Sequence, residues 1–324
     1  MSMLSSIAQM FGREPGRKPN DSLYSPEARV IHEAKRDIKG KKERVAAIKA
    51  ERDRKMSYKW RHRRWASIII VNALFVISFS LDIQLIEGSL SASRVVGFHF
   101  ADLNAALQVM LAFKEILINL VIGTVTVLIL WWVLGGRTFC SWVCPYHLLS
   151  EFAEKIHLRL VEMKLVRDLT MHRGVRTVLY VIFAGLAFGT GYTVFEAISP
   201  VGILSRAMIY GPGLALIWVF ALLAYEVFVT RRAWCRYMCP IGLTYGMVGI
   251  TSPVYVKYDL KDCLHEGDCR QVCMVPHVLE PTKKGFALKD ITALGPDCTR
   301  CGMCVDICPT NSLNFDIKGL NKLL

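Results

Sequence analysis

The chain has 324 residues, 53% of them apolar, and carries 40 Lys and Arg against 27 Asp and Glu, a formal charge of +13. Such a balance in so apolar a chain excludes an ordinary soluble domain and a simple nucleic-acid binder, because the charge must be segregated from the apolar residues. Eleven cysteines, about 3% of the chain, fall well below the roughly 8–10% of a disulfide scaffold and leave a membrane protein with a cysteine-based function.

The charge gathers first at the N-terminus. Residues 1–64 hold eighteen Lys and Arg and eight Asp and Glu, with no apolar h-region, so they read as a basic cytoplasmic segment and not a signal peptide. Residues 27–59 alternate charge signs around Ala, Ile and Val, as a solvated helix does. Four uncharged apolar stretches follow: Trp65–Leu81, Ile116–Leu134, Thr177–Phe195, and one from Pro212 to about Val229 with Glu226 near its end. Each approaches the roughly 20 residues that carry a helix across a bilayer. Residues 95–113 are apolar but include His99, Asp102 and Asn104, and read as amphipathic or re-entrant. The sixteen-residue stretch Ile241–Val256 contains Gly and Pro and reads as interfacial.

Loop charges set the orientation. Arg137, Lys155, Arg159, Lys164, Arg167, Arg173 and Arg176 lie in the 135–176 loop, and Arg231, Arg232 and Arg236 follow the fourth stretch. The other two loops carry only Arg94, Lys114 and Arg206. The positive-inside rule therefore puts both termini and the 135–176 loop in the cytoplasm of a bacterial inner-membrane protein.

The membrane region repeats itself. Phe139-Cys140, three residues, then Cys144-Pro145 follows the second stretch; Trp234-Cys235, three residues, then Cys239-Pro240 follows the fourth. A weaker echo relates Glu87, Ser89 and Arg94 to Glu196, Ser199 and Arg206. Repeats of this kind flank shared sites in membrane proteins. A structural disulfide is excluded by the reducing cytoplasm. Cys140, Cys144, Cys235 and Cys239 are expected either to ligate one metal or cluster together, or to act as redox thiols.

The strongest signal lies near the C-terminus. Cys298, Cys301, Cys304 and Cys308, followed by Pro309, form the full bacterial ferredoxin run. Upstream, Cys263, Cys269 and Cys273 fit the same ladder, with Glu266 on its second rung. Because the fourth cysteine of each run serves the other cluster, Cys298, Cys301, Cys304 and Cys273 are expected to hold one [4Fe-4S] cluster. Cys263, Cys269 and Cys308 would hold a second, as [4Fe-4S] with a fourth ligand from Glu266, Asp268 or His265, or as [3Fe-4S]. The expected fold is a mainly α membrane protein: four transmembrane helices as two helix-pair repeats over residues 65–250, then a C-terminal α+β ferredoxin-like domain over 251–324.

These residues resemble the NapH/MauN family of ferredoxin-type membrane proteins, over about residues 60–316, and share their cysteine repeats with the NosR and CcoG membrane cores. The run Asp268-Cys269-Arg270-Gln271-Val272-Cys273 is similar to that family's first ferredoxin run. The resemblance implies a membrane quinol dehydrogenase-like electron-transfer subunit. It would work with a periplasmic multi-cluster ferredoxin-type subunit toward a periplasmic reductase of the nitrate reductase type. Relatives of the family imply an alternative, a cytoplasm-driven reductase or maturation factor for a metalloenzyme. Ionisable residues at membrane depth are the candidates for a quinone site. Glu87, Glu115, Glu196, Arg206 and Glu226 qualify, and Glu196 and Arg206 stand out through the repeat. No pair of histidines lies in the four stretches, so no haem is expected, and His99 and His147 read as ordinary interfacial residues. No nucleic-acid partner is expected.

Overall fold

The computed structural model describes residues 3–14, 16, 18–36, 43, 46, 50, 58–82, 86–95 and 97–318. Helices α1 (Met3–Met10) and α2 (Pro26–Arg36) open the chain, and α3 (Lys59–Ser80) is long and apolar enough to cross a membrane. A hairpin sheet follows, β1 (Ile86–Ser89), β2 (Ala92–Val95) and β3 (Phe98–Ala101), antiparallel throughout. Next come α4 (Leu103–Phe113), α5 (Ile118–Leu134), the single turn α6 (Thr138–Trp142) and α7 (Pro145–Glu162). The second half runs α8 (Gly174–Thr190), the turn α9 (Val194–Ile198), α10 (Pro200–Tyr210), α11 (Leu216–Phe228) and α12 (Pro240–Val248).

Helices α3, α5, α8 and α11 fall in the four apolar stretches. Among the described helices, only α3 passes the length and hydropathy test for a span; α5 and α8 have 17 residues and α11 has 13. Seventeen residues rise about 25 Å, short of a hydrocarbon core of about 30 Å. The breaks have local causes. Gly135 and Gly136 take positive φ (116° and 70°) and end α5, and Gly191 (70°) ends α8. Gly136 is fixed twice over: a Cβ there would stand 2.5 Å from Gly249 Cα. Gly136→Ala is therefore expected to cost more than the roughly 1–3 kcal/mol of a strained φ alone. A thermal-unfolding midpoint in detergent equal to that of the native chain would contradict this.

Between α3 and α5 the chain folds back inward. Asp102 caps α4: its Oδ2 accepts from the amides of Asn104 (3.0 Å) and Ala105 (3.1 Å), and its Oδ1 accepts from the Tyr245 hydroxyl (2.7 Å). Tyr245 sits on α12 against Phe139 and Trp131, so the start of α4 lies deep, at the C-terminal end of α5. In the second half, α9 and α10 take the corresponding place. The echo of Glu87 with Glu196 does not extend to structure. Glu87 and Arg94 are cross-strand partners in the hairpin, whereas Glu196 and Arg206 lie on helices. The stretch read as interfacial divides between α12 and a following strand, and Ile241, Leu243 and Tyr245 of α12 are each buried within the protein.

The C-terminal region is built on the antiparallel sheet β5–β4–β6 (Ile291–Ala293, Val254–Asp259, Leu313–Ile317), with one-turn helices α13 (Asp268–Val272) and α14 (Met303–Ile307) packed together beside it. Its core joins Val256, Tyr258, Leu260, Leu279 and Leu313 to the cysteines.

The N-terminal segment departs most from expectation. It is not a freely solvated arm, because α1 and α2 are docked along the C-terminal region. Met10 is buried against Gly246 of α12, and its carbonyl accepts from Arg176 (2.7 Å). Gln9 donates to Glu280 (2.8 Å) and Tyr24 to the Gly285 carbonyl (2.7 Å). In α2, Ala28 is fully buried, His32 Nε2 meets the Ala287 carbonyl (3.0 Å), and Lys35 donates to the carbonyls of Cys263 (2.6 Å) and Leu260. The first turn of α3 is also held: the Asp306 carboxylate accepts from the amides of Trp60 (3.3 Å) and Arg61 (3.1 Å), an anion placed where a helix N-terminus favours one. Arg64, the last residue of the basic 1–64 segment, is fully buried and paired with Glu151. Most of the charge-alternating stretch at 37–57 lies outside the described residues.

Candidate iron–sulfur sites

Each cysteine pair is presented by the same device. A single tight turn carries the first cysteine, and Pro at the first position of the next helix follows the second, where its missing N–H costs nothing. In the first half the turn is α6, with Cys144 preceding α7; in the second it is a π-turn over Trp234–Met238, with Cys239 preceding α12. The four cysteines line one cavity. Cys144 lies within electrostatic reach of Cys140 and Cys239, and Cys235 within reach of Cys144 and Cys239. Phe139, Tyr146, Val201 and Trp234 close the cavity, and Arg137 and Met274 complete its wall. Val201, in the first turn of α10, brings the N-terminal end of that helix to this wall. A guanidinium and a helix N-terminus are both favourable neighbours for a thiolate-ligated, negatively charged group.

The seven C-terminal cysteines divide in two. Cys273 and Cys304 lie within electrostatic reach of Cys298 and Cys301, and of each other. Cys263, Cys269 and Cys308 line a separate cavity together with His265, Glu266 and Asp268. The helices α13 and α14 make this division. Each is a single turn with a cysteine from one group at its start (Cys269, Cys304) and one from the other just past its end (Cys273, Cys308). Four residues of helix advance about 6 Å, so the two groups are near neighbours. Burial pushes the thiols of Cys273 and Cys304 well up, and that of Cys269 up to about 11. Thiols so placed are protonated and inert on their own; iron bonded to sulfur would supply the compensating positive charge.

A single tetrahedral zinc draws its sulfurs to within about 2.3 Å of one point. Among the described residues no three His, Cys, Asp or Glu side chains converge in that way. Thiols spread around a cavity suit a multi-iron cluster, each of whose irons takes one thiolate from its own side.

The four-cysteine cavity and the C-terminal region meet through two contacts. Met274 lines the four-cysteine cavity while its neighbour Cys273 belongs to the C-terminal group. Arg236 Nε donates to the Met274 carbonyl (2.9 Å). Arg137, from the same cavity wall, donates to the Cys235 carbonyl (3.1 Å) and to both the side chain (2.6 Å) and carbonyl (3.0 Å) of Asp297, next to Cys298. Arg176 (3.1 Å) and His277 (2.8 Å) also bond Asp297. Burial alone would raise the Asp297 carboxyl, but Arg137, Arg176 and His277 together hold it well below the usual carboxylate range. Burial likewise lowers His277, to about 4, despite the carboxylate beside it.

The remaining candidates are placed as follows. Glu196 and Arg206 come together: Arg206 donates to the Glu196 carbonyl (3.1 Å), and the Ser91 hydroxyl donates to Glu196 Oε2 (2.7 Å). Gly202 leaves the room between them, since a Cβ there would meet Glu196 Oε2 at 3.3 Å. Glu226 is a structural residue, accepting from Ser150 (2.6 Å) and from the Trp234 amide (3.0 Å) that starts the π-turn. Glu115 is exposed. His147 is buried against Arg64, and His99 lines an outer cleft with Glu87 and Arg94. Sequence reasoning missed Ser91, Tyr245 and Asp297, and noted Asp102 only as a charge in an apolar stretch.

Comparison with known proteins defines the class first. A family model described as "4Fe-4S binding domain" matches residues 117–164 and 211–252, which contain the two cysteine repeats. A second model of the same description matches residues 297–314, the C-terminal run. The "Methylamine utilization ferredoxin-type protein MauN" of Methylorubrum extorquens is 31% identical over 267 residues, covering 81% of this chain and 91% of the relative. The "Ferredoxin-type protein NapH" of Escherichia coli is 30% identical over 259 residues, covering 77% and 88%. MauN of Paracoccus denitrificans is 32% identical over 235 residues, covering 71% and 81%. No solved structure matches. The chain belongs to the family of NapH and MauN ferredoxin-type proteins, and its role is iron–sulfur electron transfer.

Proposed function

We propose that this chain is a multi-pass inner-membrane electron carrier. It would take electrons from membrane quinol and pass them along three iron–sulfur sites, toward a periplasmic reductase of the nitrate reductase type through a ferredoxin-type subunit. The observation that carries the reading is the contact at Cys273-Met274: one residue belongs to the C-terminal cysteine group, and the next lines the cavity made by both membrane repeats. The clusters, when bound, supply one-electron steps. The protein's part is to hold eleven thiols in three neighbouring groups, with Arg137, Arg236 and Asp297 fixing the middle junction.

The membrane setting is supported by the exposed faces of the shorter helices. Ile122 and Ile129 of α5, Val178 and Val181 of α8, and Ile217 and Phe220 of α11 all stand exposed. Apolar area of that extent suits lipid better than water. With 17 or fewer helical residues, these helices would rely on flanking turns and local bilayer thinning to span. Arg137, Arg176, Arg232 and Arg236 share the side of the C-terminal region, which would be cytoplasmic.

For the quinol site we favour Glu196, Arg206 and Ser91. Glu196 would accept a proton there, its carboxylate oriented by the Ser91 hydroxyl. The test is anaerobic mixing of the detergent-solubilised protein with a reduced quinol analogue, followed by EPR. Growth of reduced-cluster signals is expected, with Glu196→Gln slowing that growth at least tenfold while dithionite still reduces every cluster. Clusters that dithionite reduces and quinol does not would replace this reading with the alternative, a carrier fed from the cytoplasm for maturation of another metalloenzyme.

A further inference from the structure

The two ferredoxin runs differ at one rung, and the backbone shows what occupies it. In the complete run, Arg300 takes a left-handed conformation (φ 51°), Gly302 follows with φ 76°, and the Gly302 carbonyl accepts from the amides of Val305 (3.0 Å) and Asp306 (2.9 Å) to start α14. In the upstream run, His265 is left-handed (φ 58°), Gly267 follows with φ 99°, and the Gly267 carbonyl accepts from the amides of Arg270 (2.9 Å) and Gln271 (3.4 Å) to start α13. The sulfur contacts agree as well. The Arg300 amide bonds Cys298 Sγ, and the His265 amide bonds Cys263 Sγ at 3.4 Å. A left-handed φ at a residue other than glycine is costly and survives only where the surroundings demand it. Here it survives in both loops. The upstream loop has thus kept the ligand-loop conformation, and Glu266 stands in it where Cys301 stands in the other.

Glu266 also lines the cavity shared by Cys263, Cys269 and Cys308. His265, beside it, has its Nδ1 2.9 Å from the Thr282 carbonyl and 3.7 Å from Cys263 Sγ.

We propose that Cys263, Cys269 and Cys308 hold a [4Fe-4S] cluster whose fourth iron is bound by the Glu266 carboxylate. This rests on the iron–sulfur reading of the C-terminal region and adds to it one chemically distinct corner. A carboxylate is a harder ligand than a thiolate and holds its iron less firmly in a sulfur-rich site. The corner is therefore the one that opens on oxidation. Ferricyanide accepts one electron, one Fe(II) leaves the carboxylate and the core, and the [4Fe-4S] dication becomes a [3Fe-4S] monocation.

The test uses the full chain, anaerobically reconstituted, as wild type, Glu266→Cys and Glu266→Ala. Titration with ferricyanide is followed by EPR and by released Fe(II). The wild type is expected to release one iron per chain and develop one three-iron signal. Glu266→Cys should abolish both, and Glu266→Ala should hold one iron per chain fewer before oxidant is added and give the three-iron signal on oxidation without releasing further iron. Equal iron release from wild type and Glu266→Cys, or an iron content and release in Glu266→Ala equal to those of wild type, would overturn the proposal. The cluster at Cys273, Cys298, Cys301 and Cys304 is the internal control. Its absence from all three proteins would count against the iron–sulfur reading itself, whereas its presence with a changed second cluster isolates the effect at Glu266.

Discussion

Asp297→Ala is expected to destabilise the protein by about 3–5 kcal/mol, because it leaves the buried guanidiniums of Arg137 and Arg176 without their shared carboxylate. The cost falls at the junction between the membrane repeats and the C-terminal region. Arg137 reaches Asp297 from a helix turn whose other contacts belong to the four-cysteine cavity. Asp297→Asn keeps the shape and one acceptor oxygen but loses the charge, and is expected to cost less. Unfolding in detergent, followed by helix signal and by release of iron, measures both. A loss below about 1 kcal/mol for the alanine variant would show that the two arginines find other partners.

The second large effect concerns which cluster each cysteine serves. Cys273→Ala is expected to remove the cluster of Cys298, Cys301 and Cys304 while sparing that of Cys263, Cys269 and Cys308. Cys308→Ala should do the reverse. The reason is the one-turn helices: α13 and α14 each separate their two cysteines so that each end faces a different group. EPR of the two variants, with iron analysis, discriminates directly. If Cys273→Ala removed the signal that also depends on Cys263, each run would be self-contained and the crossed arrangement wrong. Because Met274 lines the four-cysteine cavity, loss of the Cys273 group should also cut electron exchange between that cavity and Cys263, Cys269 and Cys308.

Much of the candidate site was legible in the spacing of its cysteines. Their intervals are local, and local intervals fix which thiols a single turn can present. The departure at Glu266 was visible for the same reason. What sequence could not give was the partnering of distant polar residues. Asp297 looks like any loop aspartate until Arg137, 160 positions away, is found against it. Asp102 and Tyr245 are separated by 143 positions, and nothing in either neighbourhood announces the hydrogen bond. The N-terminal segment misled through its composition. Alternating charges describe the exposed face of α2 correctly, yet Ala28 and His32 on its other face carry no pattern strong enough to predict docking. The apolar stretches located the helices, but the glycine turn that ends α5 is set by a close backbone approach, Gly136 on Gly249, that hydropathy does not register.

The docking of α1 also imposes an order in time. Gln9 and Glu280 are 271 positions apart, so α1 must wait for all of the intervening chain before its partner exists. Contacts of such long range form late. Lys35 of α2 and the Cys263 carbonyl that it bonds are 228 positions apart, so the loop around Cys263 likewise gains this contact only after both segments have been made.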